Sequence, residues 1–460
     1  MRYHALVCDY DGTLAWEGRV SEETLAALDR LRSSGRRLIL VTGRELDDLS
    51  RVFPHFDLFE RIVAENGALL YRPATQEVKI LGRRPPEEFI QALRERNIYP
   101  LSVGQVIIAT RHPYETVVLQ VIRDLGLELH VIFNKGAVMV LPSGVNKATG
   151  LQAALDELGL SPHNIVGVGD AENDYAFLDL CECSVAVANA LPAIKEHVDW
   201  VTHNDQGAGV IEVINALITS DLREIPLDRH NILIGTRQKG EKVYLAPYGV
   251  NILLAGSSRS GKSTLATGIL ERLADQNYQF CIIDPEGDYP TLEGAVVLGD
   301  QHRIPRITEI LDLLENPNQN VVVNLLGISL EDRPAFFESL FPRLQELRAR
   351  TGHPHWIVVD ETHHLLPSSW NSAVLTLPQE LQGMMYITVH PDYVSRTILS
   401  SVDIIIAIGT SPEQTLRVFS ETLGQPPPTG VPITLEPGEA LFWSWRTHTD
   451  PFWFRSVPPR

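Results

Sequence analysis

The chain of 460 residues is poor in cysteine, holding only Cys8, Cys181, Cys183 and Cys281. Four scattered thiols make no disulfide framework, so a reducing compartment, the cytoplasm, is the expected location. Cys181 and Cys183 have no second Cys/His pair at ligand spacing and read as buried thiols rather than half a metal site. Long apolar runs are also missing. None approaches the roughly 20 residues needed to span a bilayer, so no membrane partner is expected. Positive charge is short as well: 39 Lys+Arg against 58 Asp+Glu give a net charge of -19, shared by both halves. That weighs against strong nonspecific binding to nucleic acid, although a basic channel inside a ring is compatible with an acidic exterior. No internal repeat is present.

What the chain does have is strand-length apolar runs alternating with amphipathic helical stretches, the pattern of parallel α/β architecture. The length favours two or three domains. In the first half, HALVCD, RRLILVTG, RIVAEN, NIVGVGD and SVAVAN read as core strands. From Arg72 to Leu141 the rhythm breaks, with proline pairs, a helix PEEFIQALRERN and strands ETVVLQVI, LELHVIF and AVMVLP, as expected of an inserted α+β lid. A polar linker at 221–230 leads to a second half at 231–460. There ILIGTRQKGEKVYLAP reads as a hairpin and NILLAG as the strand before a glycine-rich loop. EALFWSW reads as the final strand.

Two phosphate-handling patterns follow apolar strands. In DYDGT (Asp9–Thr13), a carboxylate at a strand end can attack phosphorus when a metal neutralises both anions. A second carboxylate two residues on can protonate the leaving oxygen. Asp9 and Asp11 take those roles and are also candidate metal ligands. The hydroxyl of Thr42 can bond a phosphoryl oxygen, and Lys147 supplies balancing positive charge. Asp170, Asn173 and Asp174 in GDAENDYAFL offer oxygen ligands that suit Mg²⁺. This order of motifs resembles the haloacid dehalogenase (HAD) superfamily of phosphatases over roughly residues 1–217. AENGA (Ala64–Ala68) and LPSGVNKATGL (Leu141–Leu151) bring it close to the branch with a large Cof-type α/β cap. Arg44 and Asn66 have two readings, reaching the substrate or tying loops together. In the cap, Arg83, Arg84, Arg111 and His112 read as solvated charge or as selectors of an anionic substrate.

In GSSRSGKST, residues Gly256, Ser257, Ser258, Arg259, Ser260, Gly261, Lys262, Ser263 and Thr264 satisfy the P-loop pattern between a strand and a helix. Backbone amides cradle the phosphates of ATP, Lys262 reaches the terminal ones and Ser263 binds Mg²⁺. WIVVDE places Asp360 to hold the metal shell, and Glu361 beside it to polarise a water, which a kinase must exclude. With DPEGDY (Asp284–Tyr289), this half resembles the HerA/FtsK class of ring-forming ATPases. The resemblance implies Mg²⁺, a hexameric homo-oligomer and DNA as a candidate track. The β-barrel that precedes such motors is absent, and Asp288 stands where Glu is commoner. Thr388 and His390 sit at the γ-phosphate sensor position, and Arg396 and Arg417 are candidates for a finger reaching a neighbour's site.

The expected fold is therefore α/β: a HAD Rossmann-like core at 1–220 with a cap at about 72–141, followed by a RecA/FtsK-like P-loop ATPase domain. The expected function is a hydrolase, a phosphatase acting on a phosphorylated small molecule or nucleotide, joined to an ATPase. Two other readings compete. One is a polynucleotide kinase/phosphatase-type end-healing enzyme, against which the large cap and Glu361 argue. The other is a phospho-ligand sensor gating an ATPase.

Overall fold

A computed structural model describes residues 1–369, 381–430, 434–447 and 449–460. The chain divides into two compact units, Met1–Leu227 and Asp228–Arg460. Among the described residues, no helix is long and apolar enough to cross a membrane.

The first unit is built on an eight-stranded sheet. Its order is Trp200–Val201, Cys183–Ala186, Ile165–Gly169, Ala5–Asp9, Arg37–Val41, Arg61–Ala64, Leu69–Arg72 and Glu77–Ile80. The first six strands are mutually parallel, and Leu69–Arg72 and Glu77–Ile80 each pair antiparallel with the strand before them. Helices cover the sheet because their apolar residues recur at helical spacing. In Glu22–Ser33 the buried set is Thr24, Ala27, Leu28 and Leu31, an i, i+3, i+4, i+7 stripe. The Ser21 side chain accepts the Thr24 amide at the N-terminus, with Glu22 and Glu23 in the first turn and Arg30 and Arg32 in the last. Each charge complements the helix dipole. The stripe packs against Val210, Val213, Ile214 and Leu217 of the helix Gln206–Ser220.

The cap is a four-stranded antiparallel sheet, ordered Ser102–Val103, Ile108–Arg111, Ala137–Pro142, Leu129–Asn134. It carries the helices Glu87–Glu95 and Glu115–Asp124. Two expectations are corrected here. Glu77–Ile80 pairs with Leu69–Arg72 in the core sheet, so the chain leaves the core after Ile80 rather than at Arg72. The run ETVVLQVI, expected as a strand, lies in the helix Glu115–Asp124. Val118, Val121 and Ile122 are its buried positions, and that 3,4 spacing against the cap sheet outweighs a weak strand propensity.

Glu157, near the end of the helix Lys147–Leu158, ties that helix to two core strands. It accepts hydrogen bonds from Arg72 Nε (2.9 Å), Arg72 Nη2 (2.6 Å) and Arg61 Nε (2.9 Å). The Arg72 hydrogen bonds, opposed by partial burial and assisted by Arg61, hold its carboxyl down at about 2. A depressed carboxyl stabilises the fold above its unfolded value of about 4.3, and that gain is lost as pH falls toward the folded value. Solvent screens the cluster, so Glu157→Gln should destabilise the first unit by about 1 kcal/mol at pH 7. Urea titrations should show the gap from wild type narrowing as pH drops from about 5 toward 3.

Among the described residues, the second unit contains an eleven-stranded mixed sheet. Seven strands are parallel: Ile404–Ile408, Ile252–Gly256, Met384–Thr388, Trp356–Val359, Phe280–Asp284, Asn320–Asn324 and Ala295–Leu298. Beyond Ile404–Ile408 lie Glu439–Trp443, Phe452–Ser456, Ile232–Thr236 and Lys242–Leu245, each antiparallel to its neighbour. Glu439–Trp443 is therefore not the last strand. Phe452–Ser456 follows it and inserts between it and the hairpin, burying Phe454. One buried apolar side chain in a five-residue run leaves little periodicity to read.

Candidate functional site

The strands Ile165–Gly169, Ala5–Asp9 and Arg37–Val41 are adjacent and parallel, so their carboxyl ends meet at one edge of the sheet. Asp9 ends the middle strand, Thr42 follows the third and Asp170 the first. Lys147 arrives as the first residue of a helix capped by Asn146, whose Oδ1 accepts the Thr149 amide at 3.0 Å. Gly67, at φ 107°, lets that helix start approach, because a Cβ would overlap the Asn146 carbonyl.

Lys147 is fully buried and shared by two carboxylates, donating to Asp9 Oδ1 at 2.6 Å and Asp174 Oδ1 at 2.5 Å. Burial alone would lower its pKa, but Asp174 and Asp9 more than offset that and raise it. Asp174 Oδ2 accepts the amides of Asp170 (2.8 Å) and Ala171 (3.0 Å), so Asp174 shapes the loop and positions Lys147. Asp9, Asp170 and Asp174 bring one ligand atom each within 4.8 Å of one another. Burial, then Asp174, pushes Asp9 and Asp170 up. Three carboxylates packed this closely call for more positive charge than Lys147 provides.

That donor set fits Mg²⁺, because Asn173 also presents a buried Oδ1 with no hydrogen-bond partner. Its Nδ2 donates to Asn66 Oδ1 at 2.9 Å. Asn66 thus orients Asn173, and its neighbour Glu65 fastens the cap: the Glu65 carboxylate accepts the amides of Gln105, Val106 and Ile107 at 2.8, 2.7 and 2.9 Å. Both residues sit in left-handed conformations, at φ 49° and 56°. Arg44 is tied down too. Its Nε and Nη2 grip Asp11 Oδ2 and Oδ1 at 2.7 and 2.8 Å, and its Nη1 reaches Asp48 at 2.6 Å. Asp11 therefore faces Arg44, not the three-carboxylate cluster. Thr42 is buried, its Oγ1 accepting the Arg44 amide at 3.1 Å.

Sequence reasoning missed Lys135. It lies at the tip of the cap hairpin between Leu129–Asn134 and Ala137–Pro142, and its ammonium pairs with Asp170. Gly12, at φ 83°, makes room, since a Cβ would overlap Asp170 Oδ2 and lie 2.9 Å from Lys135 Nζ. The Asn-Lys-Gly turn between two apolar runs was the available signal. Of the cap cations singled out beforehand, Arg84 pairs with Glu87 and His112 with Glu115.

In the second unit, the loop after Ile252–Gly256 turns through left-handed Arg259 (φ 60°) and Gly261 (φ 97°) into the helix Lys262–Asp275. Lys262 Nζ donates to the carbonyls of Gly256 (3.2 Å) and Ser257 (3.0 Å). Ser263 Oγ donates to Asp288 Oδ2 at 3.1 Å. Burial, then the neighbouring Glu361 and other acids, pushes Asp360 up to about 7, against the Glu361 amide that it accepts at 2.8 Å. Glu361 is left-handed at φ 41° and is raised by burial and by Glu286, with Lys262 opposing. His363 Nδ1 lies 3.3 Å from Glu361 Oε2 and 3.0 Å from Thr388 Oγ1. A cavity of about 470 Å³ is lined by Ser257, Ser258, His390, Thr410 and Gln414, and one of about 300 Å³ by Arg259, Ser260, Gly261, Thr264 and Pro437. Arg396 donates to the Leu423 carbonyl at 3.0 Å, and Arg417 pairs with Glu413 at 2.7 Å. Both candidate fingers are engaged within the chain.

A family model of haloacid dehalogenase-like hydrolases matches residues 6–110 and 134–214. The phosphoglycolate phosphatase of Methanothermobacter thermautotrophicus is 30% identical over 220 residues, 46% of this chain and 96% of that protein. The phosphoglycolate phosphatase of Haloarcula marismortui is 31% identical over 219 residues, 45% and 95% of the two chains. Phosphoglycolate phosphatase 2 of Saccharolobus solfataricus is 30% identical over 219 residues, 46% and 91%. With the Asp9, Lys147 and Asp170 cluster formed at the strand ends of the matched region, the chain belongs, through its first unit, to the haloacid dehalogenase-like hydrolases.

Proposed function

We propose that the first unit hydrolyses a small phosphomonoester of the phosphoglycolate type through a phosphoaspartate at Asp9. The observation that carries this reading is the buried Lys147 ammonium bonded to one oxygen of Asp9, which leaves Oδ2 for attack on phosphorus. Asp9, Asp170 and Asn173 would hold Mg²⁺, which supplies charge neutralisation between the nucleophile and the phosphoryl group. Asp9 Oδ2 forms the bond to phosphorus, the ester oxygen leaves, and Asp11 gives that oxygen its proton. Water then attacks the phosphorus, passes a proton to Asp11, and Asp9 is regenerated as phosphate departs. As held by Arg44, Asp11 is set as a carboxylate base for the second half, so its acid role needs one arm of the fork to loosen. The Thr42 hydroxyl is the donor for a phosphoryl oxygen. The substrate type is supported by relatives at about 30% identity across nearly their whole length that carry the phosphoglycolate phosphatase name. Phosphate release from a panel of sugar, nucleotide and carboxylate phosphomonoesters tests it. 2-Phosphoglycolate is the expected preferred substrate, with turnover abolished by EDTA and restored by Mg²⁺; a flat profile, or full activity in EDTA, would sink the reading.

The second unit reads as an ATPase with a P-loop at Gly256–Thr264. What favours this is Lys262, ringed by loop carbonyls where it can be handed to a triphosphate, with Asp360 and Glu361 among the acids acting on it. Assembly as a hexameric ring, with DNA as a candidate track, extends that reading by resemblance.

A further inference from the structure

We propose that Lys135 determines substrate specificity, reading a negative charge on the alcohol part of the phosphomonoester. This rests on the phosphoaspartate reading of Asp9 and adds the residue that selects the leaving group. Lys135 and Gly136 form the two-residue turn of the cap hairpin, since Asn134 pairs with Ala137 across it. Both have positive φ, 45° and 88°. A lysine in the first of these positions is uncommon, because a side chain there is sterically disfavoured. Here the position aims the side chain into the core. The Lys135 amide donates to Glu172 Oε2 at 3.2 Å and the ammonium pairs with Asp170, so the tip grips the 170–174 loop at two points.

The two lysines of the site then divide by depth. Lys147 is fully buried and belongs to Asp9 and Asp174. The Lys135 side chain is 44% exposed at the rim. A phosphomonoester whose phosphorus meets Asp9 Oδ2 must direct its alcohol part outward, beneath the cap. Lys135 is a cap cation placed against Asp170 and the Gly12 turn that follows Asp9. A divalent cation held by Asp9, Asp170 and Asn173 would compete with the ammonium for Asp170 and would leave it for a second anion. A carboxylate on the substrate is such an anion, and a charge-assisted bond there favours it over a hydroxyl.

The test compares full-length wild type, Lys135→Met and Lys135→Arg at saturating Mg²⁺ on two substrates, 2-phosphoglycolate and 2-hydroxyethyl phosphate, which differ by a carboxylate against a hydroxymethyl. Any effect of losing the Asp170 pair is common to both substrates, so the ratio of their kcat/KM values isolates the recognition step. Lys135→Met should lower the ratio in favour of 2-phosphoglycolate by about 10- to 100-fold, mostly through KM, and Lys135→Arg should restore part of it. Equal losses on both substrates would overturn the proposal and make Lys135 a cap latch. A wild type that hydrolyses neither substrate, yet releases phosphate from another phosphomonoester, would instead remove the phosphoglycolate-type substrate reading, and the proposal with it.

Discussion

Asp9→Asn should lower phosphomonoester turnover by at least about a thousandfold while leaving the fold and any ATP hydrolysis intact. The substitution keeps the size of the side chain and lets an oxygen still face Lys147 Nζ, now 2.6 Å from Asp9 Oδ1. What is lost is the charged oxygen that forms the bond to phosphorus. Lys147 keeps its second partner, Asp174, so the buried ammonium is not stranded and the unit should unfold at a similar urea concentration. Steady-state phosphate release on 2-phosphoglycolate reads the loss, and circular dichroism reads the fold. Trapping of radioactive phosphate on wild type but not on the variant would place the covalent step at Asp9. A variant turning over within a few-fold of wild type would mean that the cluster works without this nucleophile.

The second large effect is expected at the loop of the other unit, where two substitutions should separate binding from hydrolysis. Lys262 is buried with its ammonium on the Gly256 and Ser257 carbonyls. Burial lowers its pKa, and Glu361, Asp360 and Asp288 pull the other way. A triphosphate would replace those carbonyls as its partner, so Lys262→Ala should weaken binding of a fluorescent ATP analogue by more than about tenfold. Glu361→Gln should bind the analogue about as tightly as wild type yet hydrolyse ATP about a hundredfold or more slowly, because the carboxylate that polarises water is gone and the cradle remains. Unimpaired hydrolysis by Glu361→Gln would remove the catalytic role of that residue. A wild-type chain that binds no analogue would remove the ATPase reading altogether.

Legibility from sequence followed how local each feature is. Asp9, Asp170 and the glycine-rich loop at Gly256–Thr264 each lie at the end of an apolar strand, and a carboxylate or glycine-rich turn at a strand end announces itself within ten residues. Lys147 could be placed beside Asp9 only as one motif among several in order. The structure shows the local reason it arrives: a capped helix start at Asn146 and a glycine at position 67 with no side chain in the way. A polar side chain whose partner lies far along the chain carries no local signal that distinguishes substrate contact from a tie between loops. Arg44 turned out to hold Asp11, and Asn66 to hold Asn173 across 107 positions.

By itself, the amino-acid order determined the alternation of strands and helices, the interruption by a cap, and the chemical groups delivered to the strand ends, because hydrophobic period and turn chemistry act over a few residues. Only the tertiary structure decided that Glu115–Asp124 winds into a helix, that Phe452–Ser456 enters the sheet, that Glu65 clasps the cap amides and that Lys135 descends on Asp170. Each depends on what lies opposite after the chain has packed. The sheet face beneath a segment sets which period is buried, and a carboxylate 35 or 41 positions distant sets where a lysine or an amide finds its charge.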